Sequence, residues 1–177
     1  MTIVYLALGS NLGDRAANLS GAIAALGADP GTGVRIDRMS AVYETAPMYV
    51  TDQPAFLNMA VRGTTTLGPW ELLRLAKRIE AALGRTQGGE RFGPRPVDID
   101  ILMYGSLIMH AADLEIPHPR IAERAFVLCP LADIAADLMH PTLAMTVGEL
   151  AAQVPGKDTV VRLADRLESV RPLLMSA

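Results

Sequence analysis

The chain has 177 residues with a formal net charge of −3, and half of its residues are hydrophobic. This composition is typical of a globular domain with a real core, and it excludes a disordered chain and argues against a general nucleic-acid-binding protein. The N-terminus lacks the basic region of a signal peptide, and no apolar run approaches the roughly 20 residues that cross a bilayer, so we expect a cytoplasmic protein with no membrane partner.

The first hundred residues predict the element order β-α-β-β-α-β. This is the order of the ferredoxin-like α+β fold, an antiparallel sheet backed by two helices. The predicted elements are a strand at 2–8, a turn at 9–14 in which Asn11 or Asp14 caps the next helix, a helix to about Gly27, a strand at 34–43, a loop at 44–53, a strand at 56–66, a helix from Gly68-Pro69 to Gly84, an arginine-containing loop at 85–95, and a strand through Asp98 and Asp100.

The remaining residues are less regular. We expect added short strands at 107–108 and 114–116 and short helices at 130–136 and 147–153. Apolar residues at Val160, Leu163 and Leu167 predict a last helix in the tail from Lys157. No linker or repeat divides the chain, so we expect one domain over 1–177, with no role assigned to 157–177.

Asp98 and Asp100 are the most informative pair. They alternate with Val97, Ile99 and Ile101, which is a strand pattern that turns both carboxylates to one face. Aspartate is depleted in strands, and two adjacent carboxylates repel each other unless a cation lies between them. Since Mg²⁺ uses one or two carboxylates together with substrate phosphates, the pair predicts a magnesium site rather than a solvated face.

A glycine-rich loop with three arginines precedes this strand. Arg85, Arg91 and Arg95 have the chemistry that grips phosphate, and the glycines would allow the loop to close over a ligand. An ordinary solvated loop is the alternative. The neighbouring aspartates favour the first interpretation, so the segment predicts phosphoryl transfer from a nucleotide.

Three further residues suggest a pocket for a flat ring. Asn58 is a polar residue on an apolar strand, and its amide offers the donor and acceptor needed to read a heterocycle edge. Phe56 and Phe126 are suited to stacking, although the residues alone favour core packing over a ligand-binding role. His118, between two prolines, is either structural or a ligand-binding residue.

Four segments together carry a family resemblance. They are Gly9-Ser10-Asn11-Leu12-Gly13, Gln53-Pro54-x-Phe56-Leu57-Asn58, Arg91-Phe92-Gly93-Pro94-Arg95-Pro96-Val97-Asp98-Ile99-Asp100 and Pro117-His118-Pro119-Arg120. Over roughly residues 2–150 the chain resembles the 6-hydroxymethyl-7,8-dihydropterin pyrophosphokinase family of folate biosynthesis. The resemblance implies a ferredoxin-like fold and an ATP-dependent diphosphokinase that moves pyrophosphate from ATP to the pterin hydroxymethyl group with two Mg²⁺ ions.

The resemblance also implies roles for individual residues. Asp98 and Asp100 would hold both metal ions, and Arg85 and Arg95 would be catalytic. The pterin positions are Thr45, Pro47, Phe56, Asn58 and Phe126; the nucleotide positions are Glu80, Arg85, Arg91, Arg95, Ile101, His118 and Arg124. We expect the protein to be a monomer whose substrates are ATP and the pterin.

Departures from the family pattern occur in the arginine loop. Phe92 replaces a frequent tryptophan, and Gln87 and Gly88 replace residues that are often basic. No metal position is lost, so we expect an active enzyme. The alternatives are another Mg²⁺-dependent nucleotidyl or phosphoryl transferase on this fold, or a ferredoxin-like binding module.

Overall fold

An antiparallel sheet joins the two halves of the chain. The structure is a computed structural model, and it describes residues 1–27, 33–47, 52–84 and 94–170. The strands are β1 (Thr2–Ser10), β2 (Val34–Met39), β3 (Val42–Thr45), β4 (Phe56–Thr65), β5 (Asp98–Tyr104), β6 (Met109–His110), β7 (Glu115–Ile116) and β8 (Val161–Ala164). The α-helices are α1 (Arg15–Gly27), α2 (Pro69–Ala82), α3 (Ala125–Ala135) and α4 (Val147–Gln153).

The strand order confirms the ferredoxin-like prediction. It runs β5-β1-β4-β3-β8, with β2 also beside β4, and every neighbouring pair is antiparallel. Alternate residues of each strand point to opposite faces. On one face Leu6, Leu57 and Ile99 pack against α1 and α2, and on the other face Tyr5 and Ala60 pack against α3 and α4.

The predicted second strand is two strands in the structure. The break lies at Ser40, whose hydroxyl accepts a hydrogen bond from the Ala60 amide at 2.9 Å and donates to the Ala41 carbonyl at 2.7 Å. The Ser40 hydroxyl therefore replaces a backbone carbonyl as the acceptor of the Ala60 amide, while the Ser40 amide still donates to the Ala60 carbonyl at 2.9 Å. Val34, Ile36 and Val42 have the same parity, which favoured one continuous strand, although Arg38 and Ser40 interrupt the apolar series between them.

The second half of the chain corrects three predictions. Helix α3 begins at Ala125 rather than at Pro130, because burial of Val127, Leu128 and Leu131 outweighs the backbone hydrogen bond that Pro130 lacks. The short strand predicted at 107–108 lies two residues later, where β6 pairs with β7.

The tail is the third correction. Its central part is the strand β8, not a helix, and it pairs with the outer strand β3. An open sheet edge offers a full row of hydrogen-bonding groups, which local helical spacing cannot match. None of the helices in the described ranges has the length and apolar character needed to span a bilayer.

Candidate functional site

A cavity of about 300 Å³ lies over the central strands beside the first turn of α3. Its lining combines small, aromatic, amide and charged side chains. They are Ala7, Leu8, Gly9, Thr45, Ala46, Gln53, Phe56, Asn58, Met59, Lys77, Arg95, Asp98, Asp100, His118, Arg124, Phe126 and Val127. Such a mixture suits a ligand that has both a flat ring and negative charge.

The strand register places Asn58 close to the two aspartates in this cavity. On β1, Gly9 is paired with Asn58 of β4 on one side and with Asp98 of β5 on the other. Two residues earlier on the same face of β1, Ala7 is paired with Asp100. The Asn58 amide and the acidic pair are therefore separated by a single strand, β1, whose residues at these positions are small.

Gly9 leaves room at the centre of this row. A Cβ atom on it would lie 3.1 Å from Asn58 Oδ1 and 3.8 Å from Phe56 Cδ1. The sequence predicted a turn from Gly9, but β1 extends through Gly9 and Ser10, and this part of the prediction is wrong. The strand continues because its partners β4 and β5 are long enough to pair with it.

The amide of Asn58 is held in one orientation. Its Nδ2 donates to Thr45 Oγ1 at 2.7 Å, and both side chains are buried. This bond leaves Oδ1 on the Gly9 side, where the cavity lies. A fixed acceptor next to Phe56 suits recognition of an N–H on the edge of a flat ring.

Asp98 and Asp100 are half-buried on the same strand, and both line the cavity. Arg95 Nη1 donates to Asp98 Oδ2 at 3.1 Å, so a guanidinium group lies at the acidic pair. The described residues contain no group of three or more acidic, histidine or cysteine side chains that could hold a metal without help from a ligand. Two carboxylates completed by substrate oxygens fit the way Mg²⁺ is bound.

Glu80, on α2, stabilises the strand β5 that carries the two aspartates. Its side chain is only 1% exposed, and its Oε1 accepts from the amide of Ile99, the residue between the two aspartates, at 2.8 Å. Burial raises the pKa of Glu80, while the Lys77 ammonium and the Ile99 amide act in the opposite direction. Glu80 thus fixes β5 where the acidic pair projects.

His118 and Arg124 form the other wall. Burial, with Arg124 and Arg120 adding to it, lowers the pKa of His118 to about 4, so its ring is neutral at pH 7. His118 Nδ1 accepts from the Arg120 amide at 3.1 Å, which leaves the proton on Nε2. Arg124 lies over the Phe126 ring at 5.6 Å, and its Nε is buried with no hydrogen-bond acceptor in the described part of the chain.

Comparison with known proteins decides the family. The model for the family described as 7,8-dihydro-6-hydroxymethylpterin-pyrophosphokinase matches residues 5–136. The chain belongs to this family. A pyrophosphokinase of Methylorubrum extorquens, named for 2-amino-4-hydroxy-6-hydroxymethyldihydropteridine, is 50% identical over 139 residues, covering 78% of this chain and 86% of that protein.

Other relatives of this pyrophosphokinase family are longer. The mitochondrial folate synthesis bifunctional protein of Pisum sativum is 53% identical over 131 residues, covering 74% of this chain and 25% of that protein. The chain therefore spans about a quarter of that relative. The solved structure of wild-type Plasmodium falciparum HPPK-DHPS with pteroate matches with a TM-score of 0.71 at 17% identity, covering 93% of this chain and 49% of that one. That likeness shows the shared fold.

Most of the site residues that were predicted from the sequence, and that the structure describes, line this one cavity of the pyrophosphokinase fold. Those that line it are Thr45, Phe56, Asn58, Arg95, Asp98, Asp100, His118, Arg124 and Phe126. Pro47, Glu80 and Ile101 are described but do not line it; Ile101 is 4% exposed and lies in the main core. Arg85, Arg91 and the departures at Gln87, Gly88 and Phe92 lie outside the described residues.

Sequence reasoning missed four of the lining residues that bear on the chemistry. Ala7 and Gly9 are small residues two apart on a strand, and this spacing was the available signal that one face of the strand leaves space for a cavity. Gln53 was part of a recognised motif but received no role. Lys77 gave no signal, since it is one basic residue on the exposed side of an amphipathic helix.

Proposed function

We propose that this chain transfers pyrophosphate from ATP to the hydroxymethyl group of 6-hydroxymethyl-7,8-dihydropterin, giving the pterin diphosphate and AMP in folate biosynthesis. The observation that carries the proposal is the row Asn58–Gly9–Asp98 across three strands. It puts a ring-reading amide and an acidic pair on the two sides of one small residue. Family membership and the names of the relatives support the same chemistry.

The pterin would occupy the Asn58 side of the cavity. Asn58 Oδ1 would accept from a ring N–H, with Thr45 holding the amide in place. Phe56 and Phe126 would contact the ring faces. Gly9 lets the ring approach the strand closely, which a larger side chain would prevent. We include Pro47 as a pterin-site residue on the strength of the family resemblance.

The triphosphate would lie against the basic side chains. The Arg124 Nε, which is buried and has no acceptor among the described residues, would be satisfied by a ligand oxygen, and Arg95 lies next to the acidic pair. His118 would donate from Nε2 as a neutral ring. Glu80 and Ile101 would act near the nucleotide, and Arg85 and Arg91 would bind phosphate.

Asp98 and Asp100 would hold Mg²⁺, and we propose two ions. When bound, Mg²⁺ offsets the negative charge of a polyphosphate. In the reaction the substrate hydroxyl oxygen bonds to the β-phosphorus, the bond from that phosphorus to the AMP oxygen breaks, and the hydroxyl proton is released. Arg95 would stabilise the charge that develops on the transferred group.

The direct experiment measures AMP release from ATP and Mg²⁺ with and without the pterin. Pterin-dependent AMP together with pterin diphosphate is the expected result. Release of ADP would instead mean transfer of a single phosphate, and binding without turnover would mean a non-catalytic module. Either result would overturn the proposal.

Asp100→Asn is the matched variant for this assay, because it keeps the size of the side chain and removes its charge. We expect at least a roughly 100-fold lower turnover, since one carboxylate of the pair is lost. Near-normal turnover with Mg²⁺ would contradict the metal assignment.

We further propose that the chain acts as a single-domain monomer in the cytoplasm. Measuring the mass of the protein in solution tests whether it is a monomer.

A further inference from the structure

Asn11 is a buried polar residue that the proposed reaction has not yet used. It follows β1 directly and is 1% exposed. The sequence offered Asn11 or Asp14 as the cap of α1, and the structure assigns this bond to Asp14, whose Oδ1 accepts from the Ala17 amide at 2.9 Å. The amide of Asn11 therefore serves another purpose.

One side of Asn11 holds the backbone of Arg95. The Arg95 backbone amide donates to the side-chain Oδ1 of Asn11 at 2.9 Å, and the backbone amide of Asn11 donates to the Arg95 carbonyl at 3.3 Å. These two bonds fix Arg95 from both ends of its own residue. The same Arg95 reaches Asp98 Oδ2 through its guanidinium group at 3.1 Å. The position of the guanidinium group thus depends on Asn11.

The other side of Asn11 holds the segment that leads into β4. Its Nδ2 donates to Gln53 Oε1 at 2.9 Å and to the Pro54 carbonyl at 3.2 Å. Gln53 lines the cavity. Arg15, the first residue of α1, adds a bond of 2.7 Å to the Ala55 carbonyl, so this segment is also attached to the start of α1.

Only an amide side chain satisfies all of these partners. The Arg95 amide needs an acceptor, while the Pro54 carbonyl needs a donor, and Asn11 supplies both from a single buried group. Aspartate has the same shape but no donor. It would keep the bond from Arg95, but its second carboxylate oxygen would face the Pro54 carbonyl oxygen, and two acceptors repel each other.

We propose that Asn11 is a positioning residue for the pyrophosphoryl transfer. It holds Arg95, on the phosphate side of the cavity, in a fixed relation to Gln53, on the β4 side. Asn11 does not line the cavity, so it acts through these two neighbours. The inference rests on the proposed function, and it adds a connection between two segments that are about forty residues apart in sequence.

The first test measures the connection without any turnover. Amide hydrogen exchange by NMR should show the Arg95 amide exchanging at least about tenfold faster in Asn11→Ala, because its acceptor is gone. In Asn11→Asp the acceptor is kept, and the Arg95 amide should stay protected. Asn18→Ala is the matched control, since Asn18 Nδ2 bonds the Leu12 carbonyl at 2.8 Å outside the cavity lining. Unchanged Arg95 exchange in Asn11→Ala would overturn the proposal.

The second test is a double-mutant cycle on turnover. Asn11→Ala should lower kcat by about 10- to 100-fold with a smaller change in either KM, because Arg95 is misplaced rather than removed. The same substitution should cost much less in an Arg95→Ala background. Equal losses in both backgrounds would mean a general structural role and would overturn the proposal.

The two tests separate this inference from the proposed function. If the wild-type chain formed no AMP with the pterin, the proposed function would fail, and the exchange data would still decide whether Asn11 holds Arg95. If the wild-type chain were active while Asn11→Ala kept full kcat, the function would stand and the positioning role would be refuted.

Discussion

Enlarging Gly9 is the most direct test of the proposed pterin site. Gly9 lies in the extended strand β1, so alanine fits the backbone there without strain. The new methyl group would enter the row between Asn58 and Asp98. Gly9→Ala should therefore leave the fold intact and obstruct the ring of the substrate.

The expected size of the effect follows from two contacts. The added Cβ would lie 3.1 Å from Asn58 Oδ1, closer than ordinary van der Waals contact, and Asn58 is held by its 2.7 Å bond to Thr45. Weakening that bond costs about 1 kcal/mol, and overpacking a ligand against the methyl costs about 1–3 kcal/mol. Together, about 2–4 kcal/mol corresponds to a roughly 30- to 1,000-fold weaker interaction with the pterin.

Steady-state kinetics and calorimetric binding measure this effect. The pterin KM should rise while the affinity for ATP alone stays within about twofold, because the three atoms nearest the added Cβ belong to Phe56, Leu57 and Asn58 and not to Asp98. Gly27→Ala is the matched control, since no atom of the described residues outside its chain neighbours and the backbone of its own helix lies within 4 Å of a Cβ at Gly27. A pterin KM in Gly9→Ala within twofold of the wild-type value would refute the assignment of this row to the pterin.

Two further predictions concern stability. Asp133→Ala should lower the free energy of unfolding by about 2–4 kcal/mol, because its carboxylate accepts from the buried Ala41 amide and the Tyr43 hydroxyl at 3.0–3.1 Å. Arg162→Ala removes only a half-exposed partner of this carboxylate and should cost under about 1 kcal/mol. Urea unfolding checks both values, and equal costs would contradict this account. The second prediction follows from burial of His118, which lowers its pKa from 6.5 to about 4: the unfolded chain binds the extra proton, so stability should fall by up to about 3 kcal/mol as the pH drops from 6.5 to 4. Unfolding of wild type and His118→Gln across this range checks it, and the same pH slope in both proteins would refute it.

Much of the fold could be predicted because its signals are local. The apolar spacing of α2 gave its limits closely, and the alternation around Asp98 and Asp100 gave β5 and the shared face of the two carboxylates. These features depend on the period of a helix or strand, which the sequence records directly. The element order was enough to give the ferredoxin-like fold.

The failures come from long-range contacts. The tail has helical spacing, yet it forms β8 because β3 presents an open edge. Helix α3 continues through Pro130 because its other residues are buried against the sheet. In both places tertiary contacts outweigh local preference, and a sequence pattern contains no information about the partner.

The sequence by itself determined which residue types are present: a carboxylate pair, phosphate-binding arginines, an amide on an apolar strand, and the motif spacing of the family. Only the tertiary structure decided their neighbours. Antiparallel pairing of β1 with β4 and β5 placed Gly9 between Asn58 and Asp98, and the buried amide of Asn11 joined Arg95 to Gln53. The physical reason is that register and burial are set by pairs of segments distant in sequence, and neither segment alone specifies them.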